Sequence, residues 1–481
     1  MTNIGNKTVI VFGSVVLLAS VLIAILSGQP LLFFFPSLLL LLFMAVQQPV
    51  LLFYALLFFI PWSVEANVTD SIGTDLPDEP LMLLLAFAVI ALWAYRGKQA
   101  FAFPISSPIP LLLLVGFLWS AITVLLSTHL SVSIKYLLAK GWYLLAFTGA
   151  PLVLITIDEK LLKRAAAILF GSMLLASLFA ITKHAALGFT FASTNEALAP
   201  FFRNHVNYSA LLVFMVPLGV AFYLLTINRR KRFAIILSLT LLLTALVLSY
   251  ARGAWLALAV GLLAYWLIRK KWLLQSFLLA IVVSFAFLAW LQYNDQYLRF
   301  APHHDTTIFH TNFSEHLAAT VKGNDVSTAE RFYRWVAGVR MSADRWATGF
   351  GPTTFYEQYQ SYTVPAFRTW VSNNPEHSTV HNYFLLLLIE QGLPGLLFFL
   401  VLIGTLFWQA QKIFNRAEDK FWKITAASIA AILWMQCTVN FLSDLIETDK
   451  VGSVFYLCAA FLVIADAKTK RVNLRKEISE Q

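Results

Sequence analysis

The stretch that decides the fold is residues 371–397, VSNNPEHSTVHNYFLLLLIEQGLPGLL, which runs from a polar loop directly into an apolar helix. His381 and Asn382 stand where water-accessible chain meets hydrocarbon. Gly392 and Pro394 interrupt the helix about three turns later. A histidine at such a boundary titrates near neutrality and can move protons. The stretch therefore predicts a membrane helix that begins beside a candidate general base.

The composition of the whole chain is that of a membrane protein. Of its 481 residues, 59% are hydrophobic and 12% are charged, whereas soluble globular proteins carry about 25% charged residues. Long apolar runs predict about fourteen spans, within a range of twelve to fourteen, because the short runs 31–46 and 49–63 form either one broken segment or two tilted spans. The runs are 8–27, 31–46, 49–63, 81–95, 109–127, 141–157, 165–182, 208–226, 233–250, 254–268, 272–291, 382–409, 422–441 and 452–466. We therefore expect an all-α polytopic membrane protein with about 12–14 transmembrane helices.

Basic loops predict the orientation of these helices. Under the fourteen-span count the clusters fall on one side, which the positive-inside rule makes cytoplasmic; they are 96–98, 160–164, 229–232, 269–271, 412–423 and 468–476. Both termini then lie in the cytoplasm, and all nine histidines lie on the outer side. The net charge of +10 reflects this asymmetry, and the chain lacks the basic-aromatic pattern of nucleic-acid binders. We expect a multi-pass protein of a bacterial inner membrane whose chemistry faces the periplasm.

The N-terminal apolar run and the two cysteines are consistent with this membrane topology. The apolar run after Lys7 is longer than the roughly 7–15 residues of a signal-peptide core, so we expect a retained first span. Cys437 and Cys458 both fall inside apolar runs, so neither a thiol nucleophile nor a cysteine metal site is expected.

One long loop divides the predicted chain. We expect a transmembrane bundle over 1–291, a large periplasmic loop over 292–380 that caps the active-site cavity, transmembrane helices over 381–467 and a basic cytoplasmic tail over 468–481.

Two stretches near the outer face have helical patterns. Within the loop, residues 327–343 predict an amphipathic helix, with Ser327 or Thr328 as N-cap and Glu330 in the capping-box position. Lys135 and Lys140 predict a second helix that lies in the membrane interface.

Three arginines are candidate ligands of an anion, because a guanidinium binds phosphate through a planar fork of donors. Arg252 lies between two spans, where a lone charge is costly and short outer loops otherwise avoid arginine; the alternative is a side chain that reaches the interface. Arg203 precedes a span, and its position is as compatible with a role at the start of that helix as with binding of the substrate. Arg331 lies on the predicted loop helix four residues before Trp335, and Arg334 extends a basic face that solvation alone would explain.

Histidines and carboxylates supply the remaining candidates. His381 is the candidate base, with Asn382, His377 and Glu376 in supporting positions. His377 and His381 have the i, i+4 spacing of zinc ligands, but HSTVH lacks the glutamate of the H-E-x-x-H motif, so no metal site is expected. Asp444 and Glu447, in the last outer loop, are candidates to orient a histidine.

Four motifs in this order resemble the O-antigen ligase and polymerase superfamily of integral-membrane glycosyltransferases. They are S-x-x-R-G-A-W (249–255), R-x-x-x-W (331–335), G-F-G-P-x-x-F (349–355) and H-N-Y-F-L-L-L-L-I-E-Q-G-L-P-G-L (381–396). The resemblance covers roughly residues 200–467, and the last motif is the most specific. The first third of the chain resembles the family in hydropathy only.

The resemblance implies a GT-C-like helical enzyme whose outward loop caps a cavity. The implied donor is a glycan on undecaprenyl diphosphate, and the implied acceptor is a sugar hydroxyl, as on lipid A–core. By motif, the functional residues are Arg252, Arg331 and His381, with Arg203 a looser match. Neither a metal nor another cofactor is expected, because arginines can neutralise the leaving diphosphate and a neutral histidine can deprotonate the acceptor.

Several functions share these motifs. A ligase moves a finished glycan onto lipid A–core, a polymerase extends one lipid-linked glycan with another, and a protein O-glycosyltransferase modifies a polypeptide. A transporter or flippase of polysaccharide or lipid is the alternative from another class. It predicts discontinuous helices at mid-membrane and paired halves, and the sequence shows no such symmetry. A pure scaffold is the remaining alternative.

Overall fold

The computed structural model of the protein describes residues 45, 47–69, 72–100, 107–300, 326–369, 372–374 and 377–480. The predicted run 8–27, nearly all of 31–46 and the candidate Glu376 lie outside the described residues.

The described chain consists of helices and one hairpin. The α-helices are α1 (Pro49–Phe59), α2 (Asp78–Arg96), α3 (Pro108–Leu125), α4 (Leu130–Leu144), α5 (Ala150–Leu154), α6 (Leu161–Ala186), α7 (Thr194–Leu198), α8 (His205–Leu225), α9 (Arg229–Leu248), α10 (Arg252–Arg269), α11 (Leu273–Gln292), α12 (Val326–Asp344), α13 (Phe355–Gln358), α14 (Tyr383–Arg416), α15 (Lys420–Leu442) and α16 (Asp449–Glu480). The antiparallel hairpin consists of β1 (Val64–Thr69) and β2 (Ile72–Leu76). Short 3-10 helices cover Ile60–Trp62, Gly97–Ala100, Tyr293–Phe300, Tyr359–Tyr362, Pro365–Phe367 and Leu445–Glu447.

Within the described ranges, eleven helical segments are long and apolar enough to cross a membrane. This confirms the all-α polytopic fold class, and the segments coincide with the eleven predicted runs from 81–95 onward. The run 49–63 forms only α1 and a 3-10 turn, which is shorter than a span. The sequence did not predict the β1–β2 hairpin.

The predicted interfacial helix around Lys135 and Lys140 is instead part of a longer helix. A π-helical turn, Leu145–Gly149, joins α4 to α5, and together they form one candidate span, Leu130–Leu154. Lys140 is accommodated there because its ammonium donates to the Tyr136 hydroxyl at 2.6 Å and lies 3.7 Å from a Glu447 carboxylate oxygen.

Helix α15 lies at the centre of the bundle and packs against α8, α10 and α14. Its buried face is rich in small residues, including Ala426, Ala427 and Ala430. Small side chains let membrane helices approach closely. On the facing helix a Cβ added to Gly261 would lie 2.2 Å from the Met435 side chain, so α10 is held in a fixed register against α15.

The loop helix α12 confirms the predicted amphipathic helix and corrects its cap. It begins at Val326, so Ser327 and Thr328 lie inside it rather than before it. The Glu330 carboxylate does not close a capping box; it accepts hydrogen bonds from the Thr369 and Ser372 hydroxyls at 2.5 and 2.6 Å. The helix packs on α14 through Gly338.

Candidate functional site

The segment Phe441–Asp444, at the end of α15, contacts the elements that carry the candidate residues. The Phe441 ring packs edge-on against Trp335 of α12, with centroids 5.9 Å apart. The backbone of Gly253, at the start of α10, lies so close to Leu442 that an added Cβ would be 3.3 Å from its side chain. The starts of α10 and α14 and the loop helix therefore meet at one end of the bundle.

His381 and Asp444 face each other at this end. The His381 Nδ1 atom lies 3.8 Å from Asp444 Oδ1, and the two side chains are 35% and 18% exposed. That separation is too long for a hydrogen bond. The other Asp444 oxygen accepts a 2.6 Å hydrogen bond from the Thr379 hydroxyl, which fixes the carboxylate. The sequence named Asp444 as a candidate to orient a histidine, and the structure brings the two together.

The chain around His381 is held by three further contacts. His381 has φ +53°, a left-handed conformation that is uncommon outside glycine and asparagine. The Val380 carbonyl accepts a 3.0 Å hydrogen bond from Trp335 Nε1, and the Tyr383 amide donates to the Ser443 carbonyl at 3.0 Å. Asn382 is buried, and its side chain caps α14 by accepting from the Leu385 amide at 3.1 Å. Asn382 therefore has a helix-capping position that explains its place in the motif.

The S-x-x-R-G-A-W motif forms a tight connection that presents Arg252. The Ser249 hydroxyl and the Trp255 indole both donate to the Leu246 carbonyl, at 2.7 and 2.9 Å. That carbonyl lies in the last turn of α9, where helical carbonyls lack an intrahelical partner. Arg252 is then the first residue of α10 and is half-buried, next to the Gly253–Leu442 contact.

The other two candidate arginines lie on different elements. Arg331 is half-buried and lies one turn before Trp335 on α12, so both share the helix face that meets Val380 and Phe441. Arg203 is exposed and precedes Asn204, which caps α8 by accepting from two amides at 3.0 Å. His381 thus contacts the segment Phe441–Asp444 directly. Arg252 is next in the chain to Gly253 and Arg331 lies one turn from Trp335, the residues through which their helices contact that segment. Arg203 lies just before the start of α8.

Arg334 departs from its predicted setting. The sequence placed it on a solvated basic face, but it is 6% exposed. Its guanidinium donates to Glu330 Oε2 and to the Thr379 carbonyl, both at 3.3 Å. The sequence pattern does not distinguish a buried arginine from a solvated one. The only local indication of the Arg334–Glu330 ion pair was the i, i+4 spacing of the two residues.

His377 stacks face to face on Tyr356, with ring centroids 3.9 Å apart and planes 15° apart. It is exposed and has a left-handed backbone at φ +52°. Pairing with a ring, rather than with His381, accounts for its position. Among the described residues, no group of three or more histidine, cysteine, aspartate and glutamate side chains is arranged to hold a metal ion.

The G-F-G-P turn pairs with the break in α14. Pro394 has no N–H to offer the Glu390 carbonyl four residues earlier, and the Gly351 amide donates to that carbonyl at 2.9 Å instead. The Phe350 amide donates to the Ile389 carbonyl at 2.9 Å, and the Leu393 amide donates to the Trp346 carbonyl at 2.7 Å. Backbone hydrogen bonds therefore join the G-F-G-P turn to the helix break of the H-N-Y-F motif, a pairing that the sequence did not predict.

Glu447 has a position other than the one predicted. Rather than facing His381, its carboxylate accepts hydrogen bonds from the Tyr383 hydroxyl at 2.6 Å and the Tyr136 hydroxyl at 3.1 Å, and it lies 3.7 Å from Lys140 Nζ. Glu447 therefore anchors the turn that follows Asp444 to α4 and α14.

A comparison with protein families supports the resemblance over about a third of the chain. Residues 237–400 match the family model described as O-antigen ligase. This range contains all four motifs. The match confirms the similarity to the O-antigen ligase and polymerase superfamily of membrane proteins. No curated protein matches the chain.

Proposed function

We propose that this protein is a glycosyltransferase of the O-antigen ligase type, which transfers a glycan from undecaprenyl diphosphate to a sugar hydroxyl on lipid A–core. The reaction takes place at the periplasmic face of a bacterial inner membrane, with both termini in the cytoplasm. The observation that carries the proposal is the His381–Asp444 pair, located where the family motifs converge.

His381 acts as the general base. Asp444 holds the imidazole while the ring accepts the proton of the attacking sugar hydroxyl. The hydroxyl oxygen bonds to the anomeric carbon as the bond from that carbon to the diphosphate oxygen breaks. Attack opposite the leaving group inverts the anomeric centre. Undecaprenyl diphosphate leaves with the electron pair of the broken bond.

The arginines stabilise the departing diphosphate. In this proposal Arg252 and Arg331 bind the diphosphate, and Arg203 contributes from the start of α8. The contacts of their neighbours Gly253 and Trp335 with Leu442 and Phe441 support this assignment. A guanidinium placed where negative charge develops lowers the barrier without a metal ion. Trp335 fixes the helix face that presents Arg331, because its indole is bonded to the Val380 carbonyl.

A groove beside α14 supports a donor with a long lipid chain. It is partly open and lies between α3, α4, α14 and α16. Most of its lining is apolar, and it extends along α14 from Tyr383 to Leu402, past the break at Gly392. Tyr383 is two residues from His381, so a lipid in this groove would present its diphosphate close to the base.

The test is transfer by the purified protein. It is reconstituted with an undecaprenyl-diphosphate glycan and either lipid A–core or a second lipid-linked glycan as acceptor. We expect a product on lipid A–core. Extension of the second lipid-linked glycan alone would instead identify a polymerase, and no transfer to either acceptor would refute a glycosyltransferase of this donor class.

A further inference from the structure

Arg334 links the loop helix to the catalytic end of the bundle. Two of its guanidinium nitrogens are engaged, one with Glu330 on its own helix and one with the Thr379 carbonyl 45 residues later. With 6% of the residue exposed, this guanidinium is not open to a substrate anion. Outside α12 it donates a hydrogen bond to the Thr379 carbonyl, two residues before His381.

Thr379 joins two parts of the site through different atoms. Its carbonyl accepts from Arg334, and its hydroxyl donates to Asp444 Oδ2 at 2.6 Å. The remaining Asp444 oxygen faces His381 Nδ1 at 3.8 Å. A continuous series of contacts therefore runs from Arg334 through Thr379 and Asp444 to His381.

Glu330 fixes the other end of this series. Its two oxygens are divided, since Oε2 accepts from Arg334 while Oε1 accepts from Thr369 and Ser372. Removing one partner of a buried ion pair strongly destabilises the folded protein, because the remaining charge is left buried without compensation. Arg334 and Glu330 thus depend on each other, and together they connect α12 to Thr369, Ser372 and Thr379.

We propose that Arg334 is a positioning residue that sets the geometry of the His381–Asp444 pair through Thr379. It is distinct from Arg331, one turn earlier, which is assigned to the diphosphate. The kinetic part of the proposal rests on the proposed glycosyl transfer. Its structural part, that Arg334 holds the segment Thr379–Tyr383, can be measured without any activity.

The first experiment measures that segment by amide hydrogen exchange in detergent or nanodiscs. Arg334→Gln should accelerate exchange at the amides of residues 380–383 by at least about tenfold, because loss of one charged hydrogen bond costs about 1.5–3 kcal/mol and 1.4 kcal/mol is tenfold. Arg340→Gln is the matched control, since Arg340 is exposed on the same helix and donates to the Tyr362 carbonyl instead. Unchanged exchange at 380–383 in Arg334→Gln would overturn the proposal.

The second experiment separates positioning from binding by kinetics. Arg334→Gln should lower kcat by about 10- to 100-fold, the effect of misplacing a catalytic group by about an ångström, with KM for the lipid-linked donor within about twofold of wild type. Thr379→Val should lower kcat similarly, whereas Thr379→Ser keeps the hydroxyl and should restore it. The double variant Arg334→Gln/Thr379→Val should be no slower than the worse single variant, because both act on one series of contacts.

The outcomes are distinguishable. A raised donor KM with unchanged kcat in Arg334→Gln would make Arg334 a substrate ligand and overturn the proposal. Additive losses in the double variant would also overturn it, since additivity indicates independent effects on folding. If the wild-type protein transfers no glycan, the proposed function fails, and hydrogen exchange alone then decides the role of Arg334.

Discussion

Gly392→Ala should disconnect the G-F-G-P turn from α14. Gly392 has φ +70° and ψ −176°, a combination essentially restricted to glycine. A Cβ at this position would lie 2.5 Å from the backbone carbon and oxygen of Ala347 and 2.8 Å from the Thr348 nitrogen. Because these neighbours are backbone atoms, no side-chain rotation can relieve the overlap. The turn must move away from the helix break.

The cost follows from what that movement breaks. Three backbone hydrogen bonds join residues 346–351 to 389–393, each with a net value of about 1 kcal/mol. Strain at Gly392 adds about 1–3 kcal/mol, so the variant should lose roughly 4–6 kcal/mol. If the loss appears as local opening, protection of the Phe350 and Gly351 amides falls by about a thousandfold or more.

Substitutions at two other glycines serve as controls that separate the cost of backbone strain from the cost of steric overlap. Gly188 also has a positive φ, +79°, but an added Cβ would meet nothing within 4 Å. Gly188→Ala should therefore cost only the left-handed strain, about 1–2 kcal/mol. Gly171→Ala, inside α6 with open space around its Cβ, should be neutral or slightly stabilising. Amide exchange and thermal unfolding in detergent measure all three. A Gly392→Ala loss no larger than that of Gly188→Ala would refute the reasoning.

Three further predictions concern pH, metal and topology. Burial, together with the nearby Asp449 carboxylate, raises the pKa of Asp75 from 3.8 to about 6. Because the pKa is higher in the folded state than in the unfolded state, ionisation of Asp75 destabilises the fold. This destabilisation is absent below pH 3.8 and complete above about pH 6. Asp75→Asn should therefore raise the unfolding midpoint at pH 7.5 by the equivalent of about 1 kcal/mol after allowance for solvent screening, and should leave it unchanged near pH 3.8; a gain at the acidic pH instead would contradict this sign. Glycan transfer should survive EDTA, because arginines such as Arg252 neutralise the diphosphate, and a loss that Mg²⁺ restores would refute the metal-free mechanism. A tag after Lys470 should be cytoplasmic and one near Asn324 external, by protease or thiol-reagent accessibility; an external tag after Lys470 would overturn the orientation.

Hydropathy was sufficient for the helices of the described chain, because each span must satisfy its own backbone within the membrane. The loop helix was also predictable from its amphipathic pattern. The β1–β2 hairpin was missed because a short pair of strands in a connection has little periodicity of its own. The span that contains Lys140 was misassigned because the carboxylate nearest its ammonium belongs to Glu447, which lies about 300 residues later in the chain.

The candidate site was predictable only as a set of residue types. Motif order suggested His381, Arg252 and Arg331, and Asp444 was recognised as a possible partner of the histidine. Tertiary contacts decide the rest. The hydrogen bond from Arg334 to the Thr379 carbonyl and the pairing of Gly351 with the Glu390 carbonyl join residues that are far apart in the chain, so no local pattern records them.

The most direct test of the central claim compares His381→Gln with the wild-type protein in glycan transfer and in donor binding. Glutamine keeps a hydrogen-bonding side chain but cannot accept a proton at neutral pH. The account predicts that His381→Gln is as inactive as His381→Ala while donor affinity is largely retained, because a proton acceptor contributes mainly in the transition state. Retention of most of the transfer activity by His381→Gln would contradict the account and would leave His381 with a role in positioning rather than in proton transfer.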